Sequence, residues 1–320
     1  MIKYRSTGLP LMDLERFGPL AREVPTLAES RAYCRSLARQ HYENFTVAAG
    51  FLPKTLKMHF YSIYAYCRWA DDLADEDTIN AAERPNVAEQ PNAAERLEWW
   101  ASLLEQTFEG YLPPHPVFVA LHETANEFAI PQGVFADLLI AFRQDQTTHR
   151  YATRAQLLDY CRHSANPVGR LILYLARTTD AESFQLSDAI CTGLQLANFW
   201  QDTARDWRDR QRIYLPAEDL QRFGCAESDF ESFSSQNRAT PEFCALIREQ
   251  VDWAQTFFER GRPLMDRVPS RFRRQIRLFH DGGMATLNAI RRNSFDVWKR
   301  RPTVSRWTKL RLLLRAILCR

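Results

Sequence analysis

Apolar residues recur at three- and four-residue spacings through several long stretches of the chain. They do so in TLAESRAYCRSLARQHYENF (26–45), LKMHFYSIYAYCRWADDLAD (56–75), PQGVFADLLIAFRQ (131–144), VGRLILYLAR (168–177) and SDAICTGLQLANFWQDTARDW (187–207). That spacing lays one apolar stripe along a helix. Asn-Gly hairpins and short alternating runs between turns are missing, so the pattern predicts an all-α protein. Pro53, Pro131 and Asn166-Pro167 precede three of these stretches and mark where helices should begin. Residues 76–98 are polar, contain Pro85 and Pro91, and repeat NAAER at 80–84 and 92–96; they read as a solvated loop. Residues 225–242, Ser-rich and acidic, read as a second loop or a short helix. Neither segment divides the chain, and the expected organisation is a single all-helical domain over 1–320 ending in a basic amphipathic segment, 299–320.

Composition narrows the class. The 320 residues are 45% apolar and 25% charged, as in an ordinary globular protein. No run approaches the ~18 apolar residues of a membrane span. The first residues lack a signal peptide's apolar core, so a cytoplasmic location is expected. Seven cysteines without a CxxC pair argue against a disulfide framework or a structural zinc site. Neither GxGxxG nor a P-loop is present, so nothing points to a dinucleotide or a hydrolysed nucleotide.

The net charge of +3 is unevenly placed. Lys299 to Arg320 holds eight Lys or Arg and no Asp or Glu, which leaves −5 for the remainder. A nucleic-acid partner is not expected from such a body. Within the tail, Leu310, Leu313, Leu314, Ile317 and Leu318 fall on a narrow helical arc, with Lys309 and Arg320 off it and Arg311 and Arg315 at its edge. Such a helix either closes the core or makes peripheral contact with the inner face of a membrane.

Two polar stripes carry the candidate chemistry. Tyr64, Arg68, Asp71 or Asp72, and Asp75 follow spacings of four, three and four, which places them on one helix face. Carboxylates this close repel one another unless a cation lies between them, and a hard divalent ion such as magnesium suits them. Gln195, Asn198, Asp202 and Asp206 stand at i, i+3, i+7 and i+11, among Leu194, Leu196, Ala197, Phe199 and Trp200. A carbonyl-and-carboxylate stripe on so apolar a helix should face a cavity rather than bulk water. Two such stripes could hold magnesium ions and a diphosphate between them.

The patterns YxxxRxxDDxxD and QxxNxxxDxxxD resemble the two aspartate-rich motifs of the squalene/phytoene synthase family, and the likeness runs from about His41 to Arg301. It implies an all-α class I isoprenoid synthase fold with the two acidic helices facing across a central cavity. It further implies Asp71, Asp75, Asn198, Asp202 and Asp206 as magnesium ligands, with Asp72 acting alongside them. Tyr64, Arg68 and Gln195 would contact diphosphate. Within the family, HYENF (41–45) with FLP (51–53), YCRHSANPVGR (160–170) and NFWQD (198–202) are similar to the hydroxysqualene synthase branch.

Some positions depart from the wider family. Tyr42 and Asn44 stand where relatives usually have a Ser-rich segment, so a phosphate role passes mainly to His41 and Asn44. SANPVG (164–169) replaces a common VAGxVG, and Gln201 replaces an Arg. Tyr160 occupies the place of the family's cavity tyrosine, and Tyr160 and Asn166 are candidates to place a reacting water. Arg212, in RQRIYLP (210–216), would close over phosphate or cap a helix. The implied activity is magnesium-dependent conversion of presqualene diphosphate to hydroxysqualene. The alternatives are condensation of two prenyl diphosphates to presqualene diphosphate, squalene or phytoene, and a non-catalytic assembly role that the retained aspartates disfavour.

Overall fold

A computed structural model describes residues 13–14, 16–40, 52–75 and 92–318, so His41 and Asn44 lie outside the described residues. Every regular element among the described residues is helical. They fall into two compact units. One holds the described residues up to Thr147 together with Arg170–Thr178, and the other holds Thr148–Gly169 and the residues from Thr179 onward.

The first unit is built around α2 (Lys54–Asp75), which starts directly after Pro53 as the sequence predicts. It packs against α1 (Leu27–Gln40), α3 (Ala93–Phe108), α4 (Pro116–Phe128) and α5 (Gln132–Thr147). Four neighbours explain why α2 buries almost its whole circumference, from Ile63 through Tyr66, Trp69 and Ala70 to Leu73. The aromatic residues on α2 and its neighbours interlock: Trp69 stacks on Trp100 at 5.4 Å and 7°, and Tyr66 meets Phe135 edge-on at 5.3 Å. The last carbonyls of α2 are capped from other helices, Leu73 O by Arg96 at 3.2 Å and Ala74 O by Gln146 at 3.1 Å.

The loop expected over 76–98 ends sooner than expected. Residues 76–91 lie outside the described residues, but Asn92 already caps α3. Its side chain accepts from the Glu95 amide at 2.9 Å while Glu95 accepts from the Asn92 amide at 2.9 Å. This reciprocal capping box makes the second NAAER copy a helix start, not a loop. A smaller correction concerns α7 (Asn166–Ala176), which includes Asn166 and Pro167 in its first turn. Proline is tolerated there because that amide has no helical partner to lose.

The second unit is organised by the thirty-residue helix α8 (Ala181–Arg210). Asp180 caps its start, accepting from Ser183 at 3.0 Å, and Gln211 in the left-handed region (φ 52°) ends it. α6 (Arg154–Ser164) packs on α8. After the short α9 (Ala217–Arg222) come α10 (Asp229–Gln236), α11 (Pro241–Gly261), α12 (Leu264–Arg267), α13 (Ser270–Arg292) and α14 (Arg306–Leu318). α10 is the short helix allowed for within 225–242. α11 and α13 both lie against α8, and the Phe258 ring sits where they meet. A Cβ at Gly283 would come within 2.2 Å of that ring, and one at Gly193 within 3.1 Å. The three helices can approach this closely only because glycine stands at both places.

Candidate active site

The first polar stripe lies on the last three turns of α2. Tyr64, Arg68, Asp71 and Asp72 are each at most 3% exposed. Asp75 is the final residue of the helix. Carboxylates at a helix C-terminus meet the negative end of the backbone dipole, so this end of α2 calls for positive charge. Arg68 supplies part of it: its Nε donates to Asp72 Oδ2 at 2.7 Å, and a second guanidinium nitrogen pairs with Oδ1. Burial by itself would lower the Arg68 pKa, but the Asp72 and Asp71 carboxylates outweigh it and hold it above its ordinary value. Cys67, one turn before Asp71, is pushed up to about 12 by burial and by that neighbouring charge, so it stays a neutral thiol.

The second stripe lies on the C-terminal half of α8. Gln195, Asp202 and Asp206 are buried and Asn198 is half-buried. The Gln195 side-chain nitrogen has no hydrogen-bond partner among the described residues. A buried donor left this way costs roughly 1–3 kcal/mol, which a bound acceptor would recover. Asp202 is held by two arginines. Arg205, one turn on, donates to Oδ2 at 2.8 Å, and Arg301 donates to Oδ1 at 2.5 Å. The same strand of chain is fastened again beside it, where Gln201 Nε2 donates to Pro302 O at 2.6 Å. Spacing alone could not reveal Arg301, which lies 99 residues from its partner. The only trace in the sequence was the uninterrupted basic run it belongs to.

The remaining candidates gather around α8. Asn166, on the first turn of α7, accepts from Thr192 Oγ1 at 3.1 Å, one turn before Gln195. Tyr160 is 1% exposed, with its ring 6.1 Å from Phe199 and 6.0 Å from Tyr214. Phe199 and Tyr214 stack at 3.8 Å and 8°, and Tyr151 completes the aromatic cluster. Arg212 is 9% exposed, and its backbone amide donates to Asp206 O at 3.1 Å, so the capping role is realised through the main chain. Among the described residues, no three His, Cys, Asp or Glu side chains converge into a metal site of their own. The six described cysteines are unpaired thiols.

Comparison with known proteins adds a family. A model of squalene/phytoene synthases matches residues 38–308. A hydroxysqualene synthase of Rhodopseudomonas palustris is 30% identical over 73% of this chain and 74% of its own length. A phytoene synthase of Arthrospira platensis is 27% identical over 92% of this chain and 94% of its own. Among solved structures, squalene synthase HpnC from Alicyclobacillus acidocaldarius superposes with a TM-score of 0.76 at 41% identity, covering 84% of this chain and 95% of that one.

Proposed function

The chain belongs to the squalene/phytoene synthase family, and from that premise we propose that it converts presqualene diphosphate to hydroxysqualene. Its fold is the all-α isoprenoid synthase fold, and the family binds prenyl diphosphates. The observation that carries the reading is the pair of polar faces, buried Tyr64–Arg68–Asp71–Asp72 on α2 and, on α8, buried Gln195, Asp202 and Asp206 with half-buried Asn198, each set among apolar side chains. Buried carboxylates are costly unless cations and hydrogen-bond donors compensate them. Several charged and polar groups gathered on one side of an otherwise apolar helix fit a face for a charged ligand better than a structural core.

The donor set is carboxylate and amide oxygen, which suits magnesium. Magnesium keeps several waters and ligand phosphate oxygens and takes few protein carboxylates. By the match to the family's two motifs, Asp71 and Asp75 on α2 and Asn198, Asp202 and Asp206 on α8 would be the residues to hold it. When bound, it supplies the positive charge that makes diphosphate a good leaving group.

The chain's own groups do the rest. By the same match, Arg68, held by Asp72, would contact the leaving diphosphate, as would Tyr64 and Gln195, and Arg212, His41 and Asn44 would be further phosphate-binding candidates. The C–O bond breaks and its electron pair leaves with the diphosphate. The faces of Phe199, Tyr214 and Tyr160 attract the resulting carbocation through their ring quadrupoles. Tyr160 and Asn166 orient the water whose oxygen bonds to that cation and whose proton is then lost.

Three features support water capture within the family: SANPVG at 164–169, Gln201 beside Asp202, and the similarity to hydroxysqualene synthases. A second reading, condensation of two prenyl diphosphates, draws support from the near full-length alignment with a phytoene synthase. Product analysis separates them. Presqualene, farnesyl and geranylgeranyl diphosphates are supplied in turn, with and without NADPH. Hydroxysqualene from presqualene diphosphate without NADPH is expected. Phytoene, or squalene formed only with NADPH, would favour the second reading.

A further inference from the structure

The last helix is partly docked and partly bare. α14 packs on α13, with Leu312 and Leu313 half-buried. Trp307, however, is 81% exposed and Leu310 45%, three residues apart and so on one face. Arg306, Lys309, Arg311 and Arg315 surround them, all exposed, and none makes an ion pair among the described residues. The basic character extends to the helix beneath. Residues 270–320 contain fourteen Lys or Arg against two Asp, Asp281 and Asp296. The rest of the chain carries the opposite net sign.

We propose that α14 docks this chain on an anionic lipid surface, with Trp307 and Leu310 entering the headgroup region and Arg306, Lys309, Arg311 and Arg315 meeting lipid phosphates. An indole with an apolar body and a polar N–H is suited to that depth. Charge complementarity selects lipid over a second copy of the chain, which would present the same basic surface to itself. The docked face also lies close to the second polar stripe. Arg301 is bonded to Asp202, and Trp307 follows six residues later, within ~20 Å of extended chain. A water-insoluble substrate, on the reading above, would then travel only a short way from bilayer to site. The docking itself does not depend on that reading, and its test reads binding rather than turnover.

The experiment is co-sedimentation of the full chain with phosphatidylcholine vesicles, with and without phosphatidylglycerol. Pelleting is expected only with the anionic lipid and should be reversed by high salt. The combined change Lys309→Gln, Arg311→Gln and Arg315→Gln should weaken partitioning roughly a hundredfold, at ~1 kcal/mol for each cation and tenfold per 1.4 kcal/mol. Trp307→Ala should weaken it further, with the circular dichroism spectrum unchanged because the ring is already in solvent. Three results would overturn the proposal: an intact chain that stays in the supernatant with anionic vesicles at low salt, a triple variant that pellets as the parent does, or self-association through Trp307 without lipid binding.

Discussion

The two polar helices solve the same electrostatic problem in different ways. On α2 the compensating cation is local. Arg68 lies one turn before Asp72, on the same helix, and both are withdrawn from water. On α8 only part of the compensation is local. Asp202 has Arg205 one turn on, but its second arginine, Arg301, comes from far along the chain and is about half exposed. A self-contained pair is fixed as soon as its helix forms. A pair closed by a distant segment can open without unfolding the helix that carries it.

The largest expected consequence of this contrast is in stability. Arg68→Gln leaves Asp72 buried without its guanidinium and should cost about 3–5 kcal/mol in urea unfolding. Replacing both partners by apolar residues of similar size should recover most of that loss. A cost below about 1 kcal/mol for Arg68→Gln would mean that the pair is not the anchor of this helix end.

In catalysis the two helices should be equals. Asp71→Asn and Asp202→Asn should each lower turnover by ~10²–10³-fold while retaining helical circular dichroism, since on the proposed reading each removes negative charge needed to hold magnesium at the leaving group. Activity of either variant within about threefold of the parent would remove that helix from the reaction.

The surroundings of α2 also carry a pH sensitivity. His115, wholly buried among Trp69, Trp100 and Phe118, has its pKa lowered to about 3 by desolvation. Its ordinary value of 6.5 is recovered on unfolding. Between those values the unfolded chain binds a proton that the folded chain refuses. The stabilising contribution is therefore complete above pH 6.5 and is lost as pH falls towards 3, by up to about 1.4 kcal/mol per pH unit. His115→Asn, which keeps an N-cap acceptor for Val117, should flatten that part of the stability curve. An unchanged slope would assign the acid sensitivity to other groups.

The smallest effect is expected at the distant pair. Arg301→Gln should cost about 1 kcal/mol or less of stability, because Arg301 is half in water and Asp202 keeps Arg205. A loss as large as that for Arg68→Gln would erase the distinction between the two helices.

The same contrast explains what could be read from the sequence. Helical periodicity and i, i+3, i+4 spacing are local properties, so α2, α8 and their polar stripes were visible, as were the starts at Pro53 and Pro131. The Arg68–Asp72 pair was implicit in a spacing of four. Arg301 on Asp202, Arg96 on Leu73 O and the aromatic ring around His115 join residues far apart in sequence, and no spacing encodes them. The capping box at Asn92 and Glu95 was local too, but the polar, proline-punctuated stretch before it hid the helix start. Asn166–Pro167 misled by about two residues because proline fits the first turn of a helix as readily as it precedes one.

The central claim is that these two faces serve an enzyme that ends its reaction by adding water to a carbocation. Turnover of presqualene diphosphate in heavy-oxygen water, followed by mass spectrometry of the product, tests it most directly. The expected result is hydroxysqualene carrying one solvent-derived oxygen, formed without NADPH. An unlabelled alcohol, or a hydrocarbon product alone, would contradict it.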